Sequence, residues 1–335
     1  MIERRFLIVA TAGAVILSPA AKGFPRTVHA ARRKLLQRTS YASFLDQVRA
    51  EARTLGTDRA VLDAALALDK PNARVLELDR HQPEFTLTWN QYRQRVITDR
   101  KIEMARDAYR RKSSLLNAIR HRYPVDPRIV VGIWGLESNY GSRSGSFGTV
   151  DSLATLAFDG RRAAFFRTEL MDALNILQHR DIAPSRMLGS YAGAMGQPQF
   201  MPSSYVRYAV DYDGDGRRDI WSTEADVLAS ISNYLSQSGW IAGAPWGQPV
   251  SVPRGFDATK AGRHGGRSLG EWMRLGVRRA DGTSFSHGDV PGALLLPDGA
   301  GGDAFMVYDN FNVIRRYNPS DFYSLAVGLL GDAAA

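Results

Sequence analysis

Glu137 closes a segment, Ile129-Val130-Val131-Gly132-Ile133-Trp134-Gly135-Leu136, that is apolar nearly all round and therefore predicts a buried helix. Asp126-Pro127 supplies its start, an N-cap followed by proline at the first helical position, and the helix is expected to stop near Gly141. A carboxyl at the C-terminal end of such a helix is raised in pKa twice over, by desolvation and by the partial negative charge of the helix end. A carboxyl that stays protonated near neutral pH is what general-acid attack on a glycosidic oxygen requires. A glutamate at a helix end is more often a plain surface residue, so the rest of the sequence has to decide.

Two further clusters bear on that decision. The run Gly189-Ser190-Tyr191-Ala192-Gly193-Ala194-Met195-Gly196-Gln197-Pro198-Gln199-Phe200-Met201-Pro202-Ser203-Ser204-Tyr205 mixes glycine and alanine with aromatics. That mixture predicts close backbone approach and a formed groove rather than a regular element. Gln199 offers an amide donor and acceptor beside Phe200 and Met201, a combination suited to sugars. Separately, Asp211, Asp213 and Asp215 at positions 1, 3 and 5, with Gly216 at position 6, open a calcium-type loop of hard oxygen donors. Ser222 stands where the closing glutamate would be, leaving Glu224 or Asp226 to close a longer loop.

The elements around these clusters read as mainly helical. From about residue 40 to residue 120, Phe44, Leu45, Val48, Ala52 and Leu55, then Val61, Leu62 and Ala65, then Trp89, Tyr92 and Val96, recur at helical spacing. Ile102, Ala105, Tyr109, Leu115, Leu116 and Ile119 continue the pattern. Further helices are predicted at about 152–156, 165–177, 227–237 and 322–330. Between 243 and 305 the texture turns rich in Gly and Pro, with short strands expected at 249–252, 293–296 and 304–308, followed by Val313 to Tyr317. The division expected is a leader over 1–30, a helical domain over 31–122, a core over 123–242 holding the loop 211–226, a β-rich domain over 243–310, and a return to the core over 311–335. The fold class is mainly α (α+β).

Composition narrows the setting. The 335 residues are 44% hydrophobic and carry a formal net charge of +9, a balance that favours anionic partners. No aromatic-studded basic tract points to nucleic acid. Cysteine is absent, which excludes disulfides, thiol catalysis and a lipid-modified N-terminal cysteine. The six histidines (His29, His81, His121, His179, His264 and His287) show no metal-type pairing. Arg4 and Arg5 precede an apolar run from Phe6 to Leu17, too short for a bilayer span of roughly 20 residues but suited to a secretory signal peptide. Cleavage fits after Ala20 or Ala30; an uncleaved anchor is the other reading. With no other candidate span, the mature chain is expected to be soluble in the periplasm.

Gly135-Leu136-Glu137-Ser138-Asn139-Tyr140-Gly141, the Gly189 to Tyr205 run and Arg316-Tyr317-Asn318-Pro319-Ser320 closely resemble the lytic murein transglycosylase B family, glycoside hydrolase family 103. Gln82-Pro83-Glu84-Phe85 is similar to that family as well, and the resemblance covers roughly residues 40 to 330. It implies a lysozyme-like helical core with a helical domain and a small β domain. It also implies cleavage of the β-1,4 bond between N-acetylmuramic acid and N-acetylglucosamine without water, leaving a 1,6-anhydromuramoyl end. By the same resemblance Glu137 is the catalytic acid and base. Ser190, Gln199, Tyr234, Tyr317, Asn318 and Tyr323 line the glycan cleft, with Arg161 and Arg162 matching less closely. For the calcium loop it favours Asp226 as the closing ligand and adds the Arg217 carbonyl.

The carboxylate count gives the mechanism a physical test. Glycosidases commonly flank the bond with two carboxyls, yet no second acid lies within the Glu137 or Gln199 motifs. One acid suffices if the muramoyl acetamide stabilises the cationic centre and the sugar's own 6-hydroxyl attacks it. No cofactor enters this chemistry, and a bound calcium would brace the core. Glycan strands are the expected partner and a monomer the expected state. Two readings compete: a lysozyme-type muramidase, which is a hydrolase of the same substrate, and a cell-wall-binding protein that keeps a cleft without catalysis.

Overall fold

The computed structural model describes residues 40–81, 87–264 and 266–335. The predicted leader over 1–30, its cleavage points and the Gln82 to Phe85 motif lie outside the described residues. In chain order the helices are α1 (Tyr41–Thr54), α2 (Arg59–Ala65), α3 (Ala73–Arg80), α4 (Trp89–Val96), α5 (Asp99–Arg111), α6 (Ser113–Arg122), α7 (Pro127–Ser138), α8 (Thr149–Asp159), α9 (Ala163–Gln178), α10 (Pro202–Tyr208), α11 (Glu224–Gln237), α12 (Leu269–Arg274), α13 (Asp309–Tyr317) and α14 (Asp321–Ala334). The strands are β1 (Phe147–Gly148), β2 (Leu188–Gly189), β3 (Gly247–Ser251), β4 (Arg267–Ser268), β5 (Arg278–Arg279), β6 (Pro291–Leu295) and β7 (Ala304–Val307). Among the described residues no helix is long and apolar enough to cross a membrane.

The chain divides into two compact units, each assembled from two separate stretches. One is the described part of Met1–Gln82 together with Gly145–Arg207; the other is Pro83–Ser144 with Tyr208–Ala335. In the first, α8 and α9 pack together, and α1 buries Tyr41 and Phe44 in a ring cluster with Phe158. β1 and β2 form an antiparallel pair in register Phe147 with Gly189.

In the second unit α7 is the central element. Asp126 accepts from the Arg128 amide at 2.9 Å, Pro127 occupies the first turn, and Asn139 ends the helix in the left-handed conformation. Residues Ile129 to Gly135 are all buried, because α14, α5, α6 and α11 pack around the helix. Backbone approaches backbone where α7 crosses α14. A Cβ on Gly132 would lie 2.5 Å from the Val327 carbonyl oxygen, and one on Gly331 would lie 2.7 Å from that of Arg128. Glycine is required there by space alone.

The same unit holds an antiparallel five-stranded sheet in the order β4-β6-β7-β3-β5, with Val250 opposite Ala304 and Leu294 opposite Met306. Its core gathers Val250, Leu269, Trp272, Val277, Phe285, Leu294 and Met306. Trp272 is fully buried, and its indole N–H donates to the Gly292 carbonyl at 2.9 Å. The expected strands at 249–252, 293–296 and 304–308 fall on β3, β6 and β7. Residues Val313 to Tyr317 are helical, the end of α13, whose Asn310, Phe311, Val313 and Ile314 share one buried face.

Candidate active site

Glu137 sits in the last turn of α7, with part of its surface open to solvent. The Tyr323 hydroxyl donates to its Oε1 at 2.6 Å. Tyr323 is itself fully buried in the first turn of α14, whose N-cap, Ser320, accepts from the Tyr323 amide at 3.3 Å. Asn318, 3% exposed, accepts from the Ser320 amide at 3.2 Å and so fixes the approach to that helix. Burial pushes the Glu137 carboxyl up to about 8, while the Tyr323 hydrogen bond, which favours the ionised form, pulls weakly the other way. Among the described residues of its unit, no second carboxylate contributes to that shift.

Tyrosines surround this acid. Burial, and after it the negative charge that Glu137 can acquire, holds the Tyr317 and Tyr323 hydroxyls well above their ordinary range. The Tyr317 ring lies 4.7 Å from that of Tyr234, which lies 4.5 Å from that of Tyr208. The Tyr234 hydroxyl donates to the Arg316 carbonyl at 2.5 Å. Tyr234, Tyr317, Asn318 and Tyr323 thus stand in the same unit as Glu137.

Two residues here escaped the sequence reading. Tyr92 reads as one more apolar position on a helix, yet burial and the Glu137 charge both raise its pKa, and its buried hydroxyl has no hydrogen-bond partner among the described residues. Lys101 reads as surface charge. Its ammonium instead donates to the Gly135 carbonyl and to Asn139 Oδ1, both at 2.8 Å, at the end of α7. No local signal marks either residue, because both act across helices.

Ser190 and Gln199 lie in the other unit, on a segment of turns joined by isolated bridges from Met195 to Gly189 and to Phe200. Ser190 is buried, and its hydroxyl accepts from the Ala194 amide at 3.0 Å. Gln199 has a left-handed backbone (φ 52°), is half-buried, and donates through Nε2 to the Gly196 carbonyl at 2.7 Å. A Cβ on Gly189 would meet the Ala194 carbonyl oxygen at 2.0 Å, the close approach that the glycines predicted. Arg161 and Arg162 are exposed in that unit, both paired with the buried carboxylate of Asp79.

In the loop before α11, the carboxylate oxygens of Asp211, Asp213 and Asp226 lie within 4.8 Å of one another. Asp226 is fully buried, and each of its oxygens accepts one amide at 2.8 Å, from Tyr212 and from Asp219. Asp211 accepts from Gly214 and Gly216, whose φ angles of 80° and 88° let the chain turn back on the cluster. Asp215 stands outside this group of three; its Oδ1 accepts from the Arg217 amide at 2.9 Å. Three hard oxygen donors on a glycine-turned loop fit a calcium-sized cation.

Comparison with known proteins places this geometry in context. The profile of the transglycosylase SLT domain matches residues 40–332. The chain is 34% identical over 295 residues to the membrane-bound lytic murein transglycosylase B of Escherichia coli (strain K12), covering 84% of this chain and 79% of that protein. SltB3 from Pseudomonas aeruginosa, solved in complex with NAG-anhNAM-pentapeptide, superposes with a TM-score of 0.85 at 44% identity, covering 89% of this chain and 80% of SltB3. The Escherichia coli lytic transglycosylase SLT35, solved in complex with calcium, gives a TM-score of 0.71 at 32% identity, covering 88% of this chain and 92% of SLT35. These likenesses bear out the mainly α, lysozyme-like fold. Because they run through nearly the whole described chain rather than one motif, this protein belongs to the lytic transglycosylases of the transglycosylase SLT domain family.

Proposed function

We propose that this enzyme cleaves the β-1,4 bond between N-acetylmuramic acid and N-acetylglucosamine in peptidoglycan, with Glu137 as its single acid and base. The carboxyl held up to about 8 against the Tyr323 hydroxyl is the observation that supports this most directly. At neutral pH such a carboxyl is mostly protonated and can give its proton to the bridging oxygen as the C1–O4 bond breaks. The muramoyl acetamide oxygen then bonds to C1. The 6-hydroxyl of the same sugar displaces it, and the Glu137 carboxylate takes the hydroxyl proton, which closes the 1,6-anhydro ring and restores the acid. Intramolecular attack has a high effective molarity, so a site that excludes water loses nothing by doing so. Tyr323 stabilises the carboxylate between the two proton transfers. The NAG-anhNAM ligand of SltB3 supports an anhydro product.

Asn318, Tyr234 and Tyr317 in the same unit, and Ser190, Gln199, Arg161 and Arg162 in the other, are assigned to the glycan. Asp211, Asp213 and Asp226 are assigned to a structural calcium, which neutralises their mutual repulsion, and the calcium complex of SLT35 supports that assignment. The basic, apolar start of the sequence supports export to the periplasm.

Digestion of purified sacculi tests the reading. Wild type should release muropeptides one water lighter than reducing-end products, whereas a hydrolase would give the heavier ones. Glu137→Gln should bind glycan and release nothing; undiminished turnover would remove Glu137 from the mechanism.

A further inference from the structure

The turn that follows Glu137 is backbone under strain. Asn139, Tyr140 and Gly141 take φ angles of 52°, 58° and 81° in succession, and the first two are not glycine. Such backbone is disfavoured for residues other than glycine and persists only where its surroundings hold it. Some holding is local. Gly141 N donates to Ser138 Oγ at 3.1 Å, Arg143 N donates to the Ser138 carbonyl at 2.8 Å, and Asn139 Nδ2 donates to Ser142 Oγ at 2.7 Å. From another helix, the Lys101 side chain on α5 reaches this turn. Its ammonium joins the last-turn carbonyl of Gly135 to the Asn139 side chain, astride Glu137, and stands 5.9 Å from the Tyr140 ring centroid.

The charge state of this lysine is expensive. Burial and the neighbouring Arg143 bring its pKa down to about 8, and no carboxylate stands among the groups that shift it. Its contribution is therefore carried by the two hydrogen bonds to Gly135 and Asn139 rather than by an ion pair, and these offset the cost of burying it. Its hydrogen bonds converge on the one turn that aims Glu137.

We propose that Lys101 is a positioning residue for the reaction, fastening the left-handed turn after α7 so that the Glu137 carboxyl keeps its direction toward the scissile oxygen. The inference rests on the assignment of Glu137 as the acid. Lys101 acts through the Gly135 carbonyl and Asn139 rather than through the carboxyl itself.

The test compares Lys101→Met, Lys101→Arg and Asn139→Gly in the full chain, by steady-state turnover on soluble glycan and by thermal melting. Lys101→Met should lose between about tenfold and about a hundredfold in kcat, the range for a reacting group displaced by under an ångström or so, with KM within about twofold. Its Tm should fall by no more than a few degrees, too little to account for that loss of rate. Lys101→Arg, whose fork can reach both acceptors, should recover most of the rate. Asn139→Gly keeps the backbone turn but removes the acceptor, so it should lower kcat alone and add nothing to Lys101→Met in the double variant. Full turnover in Lys101→Met, or fully additive losses in the double variant, would overturn the proposal. If Lys101→Met melts below assay temperature, Asn139→Gly decides alone, and wild-type kcat in that variant is the overturning result. An inactive Glu137→Gln beside a fully active Lys101→Met refutes this inference only; a fully active Glu137→Gln refutes the assignment beneath it.

Discussion

The pKa of Glu137 links the chemistry of one residue to the stability of the protein. Its carboxyl is raised from an ordinary 4.5 to about 8, so the folded state holds a proton that the unfolded chain releases between those values. This contribution to stability is complete below about pH 4.5 and is lost as the pH rises through about 8. Glu137→Gln should therefore raise Tm, and by more at about pH 9 than at about pH 5, as calorimetry would read. If Glu137 is the acid, as proposed, kcat/KM should fall above about pH 8. Tyr323→Phe removes the bond that favours the ionised form, and its pH-rate profile should fall away at a higher pH than wild type; a fall at lower pH would contradict that role. Glu137 was legible because an apolar helix leads straight to it and family motifs surround it. Its partner was legible only through resemblance, since Tyr323 lies 186 residues away and no local spacing links them. Tyr92 and Lys101 were not legible at all, because a tyrosine on an apolar face and a lysine on a charged helix look ordinary until other helices are placed against them.

At the scale of elements, the close crossing of α7 and α14 sets where Glu137 stands against Tyr323. The Gly132 and Gly331 contacts lock α7 to α14 at backbone distance. Gly132→Ala places a methyl 2.5 Å from the Val327 carbonyl, and it should destabilise by about 1–3 kcal/mol in urea unfolding. Activity should fall with it, since α14 also carries Tyr323. The start of α7 was readable to the residue, because Asp126-Pro127 marks it by capping chemistry that is local. Strand ends were readable to within a residue or two where apolar runs met turn residues. The two-residue β4 and β5 were not, because pairing with a neighbour defines them rather than composition.

For the molecule as a whole, the acidic loop before α11 gives a test independent of catalysis. If calcium binds Asp211, Asp213 and Asp226, saturation at about a hundredfold over its Kd adds about 2.7 kcal/mol. Melting should then move upward with added calcium and downward with chelator, and Asp226→Asn should abolish the response. A flat melting curve across calcium concentrations would refute the site. The sequence texture separates helical from β-rich stretches well, but texture cannot say which distant stretches share a core, and here each unit joins pieces more than sixty residues apart. That order of threading sets when the surroundings of Glu137 can be complete. On the ribosome α7 emerges long before α14, so the carboxyl of Glu137 has neither its tyrosine nor its full cover while most of the chain is still being made. A chain truncated before residue 321 would lack Tyr323 and the α14 side of that cover, and it should release no muropeptides from sacculi. The acid's hydrogen-bond partner therefore comes from the last helix to be made.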